Sequence, residues 1–492
     1  MGIGTIVCMT SEAVSPQTAG TQLSRRAWAM LIVLCGALFL DALDVSMMGV
    51  ALPSIKEDLG MSTSSLQWVV SAYVLGYGGF LLLGGRAADL LGRRRVFLVA
   101  LGVFVVASML GGLANDGTLL IATRFVKGVS AAFTEPAALS IITTTFAEGP
   151  ARNKALSVFT ATGATGFSLG LVFGGLLTEI GWRWVFFLPA PVALATLLGG
   201  VRLVPKSARS AHAGRRFDVA GAVSMTSGML LLVYTLVEAP EAGWGSPRTL
   251  GSLAAVAVIF AAFVVRERYA AAPLVRLGIL RSSSLVRANL GAMSLFGGWV
   301  GFQFIATLYM QQLRGWSALE TGLAIFPGGL LVAVFAPRIA PLIMRFGVTR
   351  LIVGGMVAIT AGYVLFLRID LDSSYVLGVL PTVLLAGVGF ALAFGPLNVA
   401  ATSGVAPEEQ GLAGGLLNTS FQFGGALVLA IVAAVYNANV GPGGSPSAIL
   451  DGFHAALLVS VGAALLGIVA MVQRAPRTET VPETQEALEE AA

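Results

Sequence analysis

Fourteen stretches of this chain are so apolar, and so long, that each must be buried along its whole length. They fall at 28–52, 67–84, 95–114, 118–142, 155–178, 184–203, 218–237, 249–265, 286–310, 319–342, 349–368, 376–397, 412–436 and 453–472. A bilayer's hydrocarbon core is about 30 Å thick and a helix rises about 1.5 Å per residue, so a run of about 20 apolar residues predicts one crossing. Only 11% of the 492 residues are charged, against about 25% in a soluble domain. The 61 glycines suit helices that pack closely in lipid.

Charge placement tests the count. With the N-terminus placed in the cytoplasm, 23 of the 30 Lys and Arg fall in the cytoplasmic segments. Five fall in the opposite loops (Lys56, Arg183, Arg248, Arg314 and Arg368), and two, Arg124 and Lys127, lie inside the fourth stretch. This asymmetry follows the positive-inside rule and predicts a multi-pass protein of the cell membrane with both termini cytoplasmic. The net charge of +5 is then a mark of topology, and no nucleic-acid partner is expected.

Other chemistries find no support. The two cysteines, Cys8 and Cys35, and the two histidines, His212 and His454, do not cluster, so no metal site is expected. GxxxxGK[ST] is absent, which predicts no nucleotide partner, and no set of nucleophile, His and acid suggests a catalytic residue or a cofactor. The expected partners are a small-molecule substrate, protons and the lipid bilayer, and the chain is expected to be a monomer.

The sequence also repeats weakly. GGRAADLLGRRRV (84–96) follows the second stretch and APRIAPLIMRFGVTR (336–350) follows the tenth; aligning Gly92 with Gly347 sets Arg95 on Arg350. A small-residue run ends in Pro136 in the fourth stretch and another in Pro396 in the twelfth. Stretches one to six thus match nine to fourteen, with seven and eight inserted, and such halves predict a site at their interface. The expected organisation is a disordered tail at 1–25, a six-helix bundle at 26–204, a linker and two inserted helices at 205–270, a second six-helix bundle at 271–474 and an acidic tail at 475–492.

Four segments carry a family resemblance over about residues 25–475. They are LDVSMMGVALP (43–53), GRAADLLGRRR (85–95), RFVKGVSAAFTEPAAL (124–139) and GATGFSLGLVFGGLLTEIGWRWVFF (163–187). With them the chain resembles the major facilitator superfamily, in its fourteen-span drug:proton antiporter branch (QacA/EmrB-like). It departs from the pattern at Gly49, where Asn is usual, at Lys127, where Gln is common, and at Leu171, where a Pro usually follows Gly170. The resemblance implies an all-α major facilitator fold of two six-helix bundles plus two inserted helices, with spans one and four lining one central cavity. It also implies that the loop motif Gly85, Asp89, Gly92, Arg93 and Arg94 is a charge latch between bundles. From the residues alone, Gly85 and Gly92 are expected in tight turns, and Asp89 caps a helix or pairs with the arginines that follow.

The acids Asp41, Asp44 and Glu135 fall deep inside spans. A charge at that depth costs at least about 2.5–3.5 kcal/mol, which makes each a functional candidate. Asp41 and Asp44 lie about 60° apart on one helix; Arg124 and Glu135 share a face about 16 Å apart along another. A carboxyl that exchanges water for an arginine partner takes up and releases a proton, so Asp44, Glu135, Arg124 and Asp41 are the candidate proton-coupling set. A structural ion pair locking helix one to helix four is the alternative. Asn418, Gln422, Gln303, Asn398, Phe421 and Tyr309 are candidate substrate contacts, the amides serving otherwise as interhelical hydrogen bonders. Gly163, Gly166, Gly170 and Gly174 form a smooth stripe for close helix approach, a seam that seals one side of the cavity against proton leak. The expected function is proton-driven export of small hydrophobic compounds. A proton-coupled symporter and a non-transporting receptor or structural protein are the alternatives.

Overall fold

The computed structural model describes residues 24–146, 150–205, 218–270, 277–405, 410–440 and 445–472. Among them the chain is helical throughout, with no strand. The helices are α1 (Arg25–Leu59), α2 (Thr63–Leu91), α3 (Arg93–Gly112), α4 (Gly117–Thr145), α5 (Pro150–Ile180), α6 (Trp184–Phe187), α7 (Pro189–Leu203), α8 (Val219–Ala242) and α9 (Pro247–Tyr269). They continue as α10 (Ser283–Leu308), α11 (Ala318–Phe335), α12 (Ile339–Phe346), α13 (Val348–Phe366), α14 (Leu380–Thr402), α15 (Gln410–Val440) and α16 (Pro446–Val472). Starts are set locally: Ser24, Ser62, Asp116, Ser246, Ser282 and Ser317 each accept a first-turn N–H. Twelve helical segments among the described residues are long and apolar enough to cross a membrane. Helices also occupy the other two predicted stretches, as α2 and α8.

The packing pattern occurs twice. In the first half α1 packs on α5 and α7, α2 on α4, and α3 on α4 and α7. In the second half α10 packs on α15 and α16, α11 on α14, and α13 on α14 and α16. The halves then meet reciprocally, through α2 against α15 and α5 against α11. Two single-residue joints mark the same symmetry. Gly92 (φ +95°) alone separates α2 from α3, and Gly347 (φ +81°) alone separates α12 from α13. A side chain is disfavoured at such a φ, which explains glycine at both places. Pro136 lies within α4 and Pro396 within α14.

The loop motif departs from expectation. Gly85 is not in a turn: α2 runs on to Leu91 and takes Gly85 into the helix. The N-cap of α3 is Gly92, and the side chain of Asp89 lies outside what is described. Arg94 donates to the Val201 carbonyl at 2.6 Å, tying the start of α3 to the end of α7. The tails 1–23 and 473–492 and most of the linker lie outside the described residues.

The inserted pair lies along one of the two interfaces between halves. α8 packs on both α2 and α15, and α9 packs on α8. The Thr226 hydroxyl donates to the Gly79 carbonyl of α2 at 2.7 Å.

Candidate transport site

α1 and α4 bring three charges together with almost no water. Asp44 accepts from Arg124 Nη1 on one carboxylate oxygen and from Lys127 Nζ on the other. The exposures of Asp44, Arg124 and Lys127 are 0%, 1% and 0%. Arg124 and Lys127 are three residues apart, so one α4 face carries both to a single carboxylate. Arg124 also donates from Nε to the Val69 carbonyl of α2 at 2.9 Å and lies 4.6 Å from the Tyr73 ring centroid. Lys127 lies 4.6 Å from the Phe104 ring and 5.1 Å from that of Phe186. Aromatic faces favour a cation at such distances. Sequence reasoning found the Asp44–Arg124 pair but left Lys127 unassigned.

The other two acids stand apart from this cluster. Asp41 is buried, and its Oδ2 has no hydrogen-bond partner. Glu135 is half-buried and makes no ion pair or hydrogen bond among the described residues. No ion pair or hydrogen bond joins it to Arg124 among the described residues. The buried Tyr73 hydroxyl, also without a partner, lies within electrostatic reach of both.

The second half contributes no buried acid or base to its spans among the described residues. Its contribution is a run of aromatic rings. Phe421 stacks on Phe394 at 5.0 Å, Phe394 on Phe390 at 5.4 Å, and Phe390 meets Trp299 edge-on at 6.2 Å. Trp299 reaches Phe167 of α5 at 6.1 Å, across the two halves, and Phe296 meets Phe421 at 6.3 Å. Phe167, Phe296, Phe390 and Phe394 are only half-buried although their partners come from α5, α10, α14 and α15. Of this wall the sequence singled out Phe421 alone. The spacing of Phe390 and Phe394, four apart on one helix face, was the available signal.

The remaining candidates are scattered. Asn418 and Gln422 are half-buried on α15, and Gln422 packs against Gly78 of α2. Gln303 is buried against Gly49 of α1, with its Nε2 lacking a partner. Asn398 is used within its own helix, donating to the Phe394 carbonyl at 2.9 Å. Tyr309 is enclosed, with its ring against Phe366 and its hydroxyl donating to the Asp370 carbonyl at 2.7 Å.

At one end the two halves touch. Gln311 donates to the Val50 carbonyl at 2.8 Å, joining the halves. Gly175 lies against the backbone of Ala318 and Leu319, Gly322 against Leu171, and Gly329 against Ser168. These contacts crowd toward the end opposite the arginine-rich loops. Beyond them, between the end of α1 and the start of α11, is a cavity of about 680 Å³ lined by Lys56, Glu57, Gln311, Gln312 and Trp316. The stripe of Gly163, Gly166, Gly170 and Gly174 has a different neighbour. Its glycines receive Leu38, Phe39, Leu43, Ser46 and Met47 of α1, within the same half.

Two helical halves repeated in packing, with buried charge in one and aromatic rings meeting across them, define a membrane transporter rather than an enzyme. The comparisons give its family. Residues 34–429 match the pattern described as Major Facilitator Superfamily, and the chain belongs to that superfamily. It is 40% identical to the puromycin resistance protein pur8 of Streptomyces alboniger, over 93% of each chain. It is 36% identical to the cephamycin export protein CmcT of Amycolatopsis lactamdurans, over 95% of this chain and 96% of that one. The tetracenomycin C resistance and export protein of Streptomyces glaucescens is 33% identical, over 86% and 78%. Among solved structures, the POT family transporter PepTSo superposes with a TM-score of 0.65 at 17% identity, over 90% of this chain and 96% of that one. The human organic anion transporter MFSD10 gives 0.61 at 18%, over 91% and 100%. At such identities the likeness shows the fold alone.

Proposed function

We propose that this protein exports small, largely apolar organic compounds of the antibiotic type from the cell, in exchange for protons. The observation that carries the export reading is the near full-length similarity to proteins named for resistance to, or export of, puromycin, cephamycin and tetracenomycin C. The half-exposed aromatic wall supports an apolar, ring-bearing cargo, since stacked rings add specific geometry to apolar burial. Proton coupling is supported by carboxyls held deep between α1 and α4, where a charge is retained only for a use.

In this reading α2 and α8 complete fourteen crossings, and both termini lie in the cytoplasm, as the arginine distribution requires. The closed end then faces outward and the cargo gap opens inward. Rocking of the two halves would part the α5–α11 contact and expose the cargo to the outside. The test is puromycin transport by inside-out vesicles containing the full chain. Uptake should rise on imposing an acidic interior and collapse with a protonophore. Uptake indifferent to the gradient sinks the coupling, and absence of transport for any antibiotic of the three classes sinks the export reading.

A further inference from the structure

The cavity between the end of α1 and the start of α11 measures about 680 Å³. Sites for drug-sized molecules occupy about 300–1,000 Å³, so its volume suits one small organic compound. It shares no lining residue with the buried charges or the aromatic wall. Both halves build it: Lys56, Glu57 and Met61 come from α1 and the turn after it, and Gln311, Gln312 and Trp316 from the segment joining α10 to α11. Glu57 and Gln312 are exposed, so the cavity is reached from water.

The lining has the parts of a recognition site. Lys56 is half-buried, and its ammonium donates to the Thr63 hydroxyl at 3.2 Å. An ammonium carries three N–H donors, and no carboxylate pairs with this one among the described residues. Glu57 likewise makes no ion pair among the described residues. Two opposite charges on consecutive residues thus stand ready at one cavity. Trp316 adds a half-buried ring. Tyr375 meets that ring edge-on at 6.0 Å, and the Trp316 backbone N–H donates to the Met310 carbonyl at 2.9 Å. A ring already held in place loses little freedom when a second ring settles on it.

The cavity also straddles the joint between the halves. Gln311 in its lining donates to the Val50 carbonyl at 2.8 Å, and that bond ties α1 to the second half. Parting the halves at this end would break the bond and draw Lys56 and Glu57 away from Trp316. A compound that touches both walls therefore binds the joined arrangement better than the parted one. By linkage, its binding favours the joined arrangement.

We propose that this cavity is a second small-molecule site, taking an amphoteric compound with an aromatic ring: carboxylate toward Lys56, amine toward Glu57 and ring toward Trp316. Bound from the outer side, such a compound clamps the two halves together and slows export. Molecules accumulated outside thereby restrain the transporter without entering the cargo path.

This rests on the export reading and orientation above, and the experiment separates the two. Ampicillin is the probe, since it carries a carboxylate, an amine and a phenyl ring; penicillin G, which lacks the amine, is its control. Binding is read in right-side-out vesicles on the full chain with Gln312→Cys and the native cysteines removed. Ampicillin outside should slow the reaction of that cysteine with an impermeant thiol reagent severalfold, and penicillin G much less. The effect on transport is read in inside-out vesicles, whose lumen meets the outer face. Ampicillin in the lumen should lower the maximal rate of puromycin uptake about fivefold, the lower end of ordinary coupling between sites. It should not raise the half-saturating puromycin concentration, as competition for the cargo site would. Glu57→Gln and Trp316→Ala, each compared with its own rate without ampicillin, should relieve the inhibition. Should Trp316→Ala fold poorly, Glu57→Gln at its exposed position decides. The proposal is overturned if the cysteine reacts equally with and without ampicillin, if penicillin G acts as strongly, or if Glu57→Gln is inhibited like the wild type. Wild-type vesicles that take up no puromycin refute the export reading, and protection of the cysteine, lost on Glu57→Gln, then decides the site by itself.

Discussion

The carbonyl of Leu171 lies against the bare Cα of Gly322: a Cβ on Gly322 would stand 2.2 Å from that oxygen. Among the glycines where α5 meets α11, this is the closest approach of an added Cβ to the facing backbone. Gly322→Ala therefore cannot be accommodated without separating the helices, at a cost of about 1–3 kcal/mol, as for an overpacked core. The expected result is a lower melting temperature and faster reaction of a cysteine placed at Ser168 with an impermeant reagent added outside. Unchanged labelling would mean that this contact does not seal the gap.

Removing Asp44 tests the ion cluster as structure. Asp44→Ala leaves Arg124 and Lys127 buried without their anion, which should cost on the order of 3–5 kcal/mol. Adding Lys127→Gln should recover part of the loss, because one stranded cation is gone. A double-variant cycle in detergent melting measures the coupling directly. Additive losses would show that the two side chains do not share their energy through Asp44.

The aromatic wall predicts a change in cargo affinity separate from the proton. Phe394 is stacked on both Phe390 and Phe421. Phe394→Ala should raise the half-saturating puromycin concentration severalfold, in keeping with about 0.5–1.5 kcal/mol for a ring pair beyond its area. Asn418→Ala should shift the preference among antibiotics in the same assay. Neither change should alter the pH dependence of transport; a displaced pH profile would place these residues in the proton path instead.

Orientation can be read chemically. With the other cysteines removed, a cysteine at Ser447, just after the turn into α16, should react with an impermeant thiol reagent on intact cells. One at Ser207, in the linker outside the described residues, should react only after the cells are opened. Equal reaction at both sites would contradict fourteen crossings with the linker inside.

Much of this arrangement was legible in the sequence because the bilayer imposes a length and a polarity on each helix. All fourteen apolar stretches coincide with helices, and the alignment of Gly92 with Gly347 reappears as two joints of the same geometry. The meeting of Asp44 with Arg124 followed from burial of charge. The failures share one cause: sequence gives the face of a helix but not the helix it touches. The Gly163–Gly174 stripe reads as a smooth face, yet only packing shows that α1 lies on it and that Gly175 and Leu171 meet the other half. Phe390 and Phe394 look like any apolar residues of a span until Trp299 and Phe421 are seen beside them. Gly85 was misplaced because α2 keeps its helix for two turns beyond its apolar run, where hydropathy is silent.

The inserted pair makes the two edges of the molecule unequal. Along α2 and α15 the boundary between halves is overlaid by α8, which packs on both helices and is bonded to α2 through Thr226. Along α5 and α11 there is no such overlay among the described residues. A book bound along one side opens at the other: should the halves rock, the flank of α5 and α11, which α8 does not overlay, is the one left free to part. Lipid tails would enter such a parting from that flank alone, giving the transporter a back and a front within the plane of the membrane.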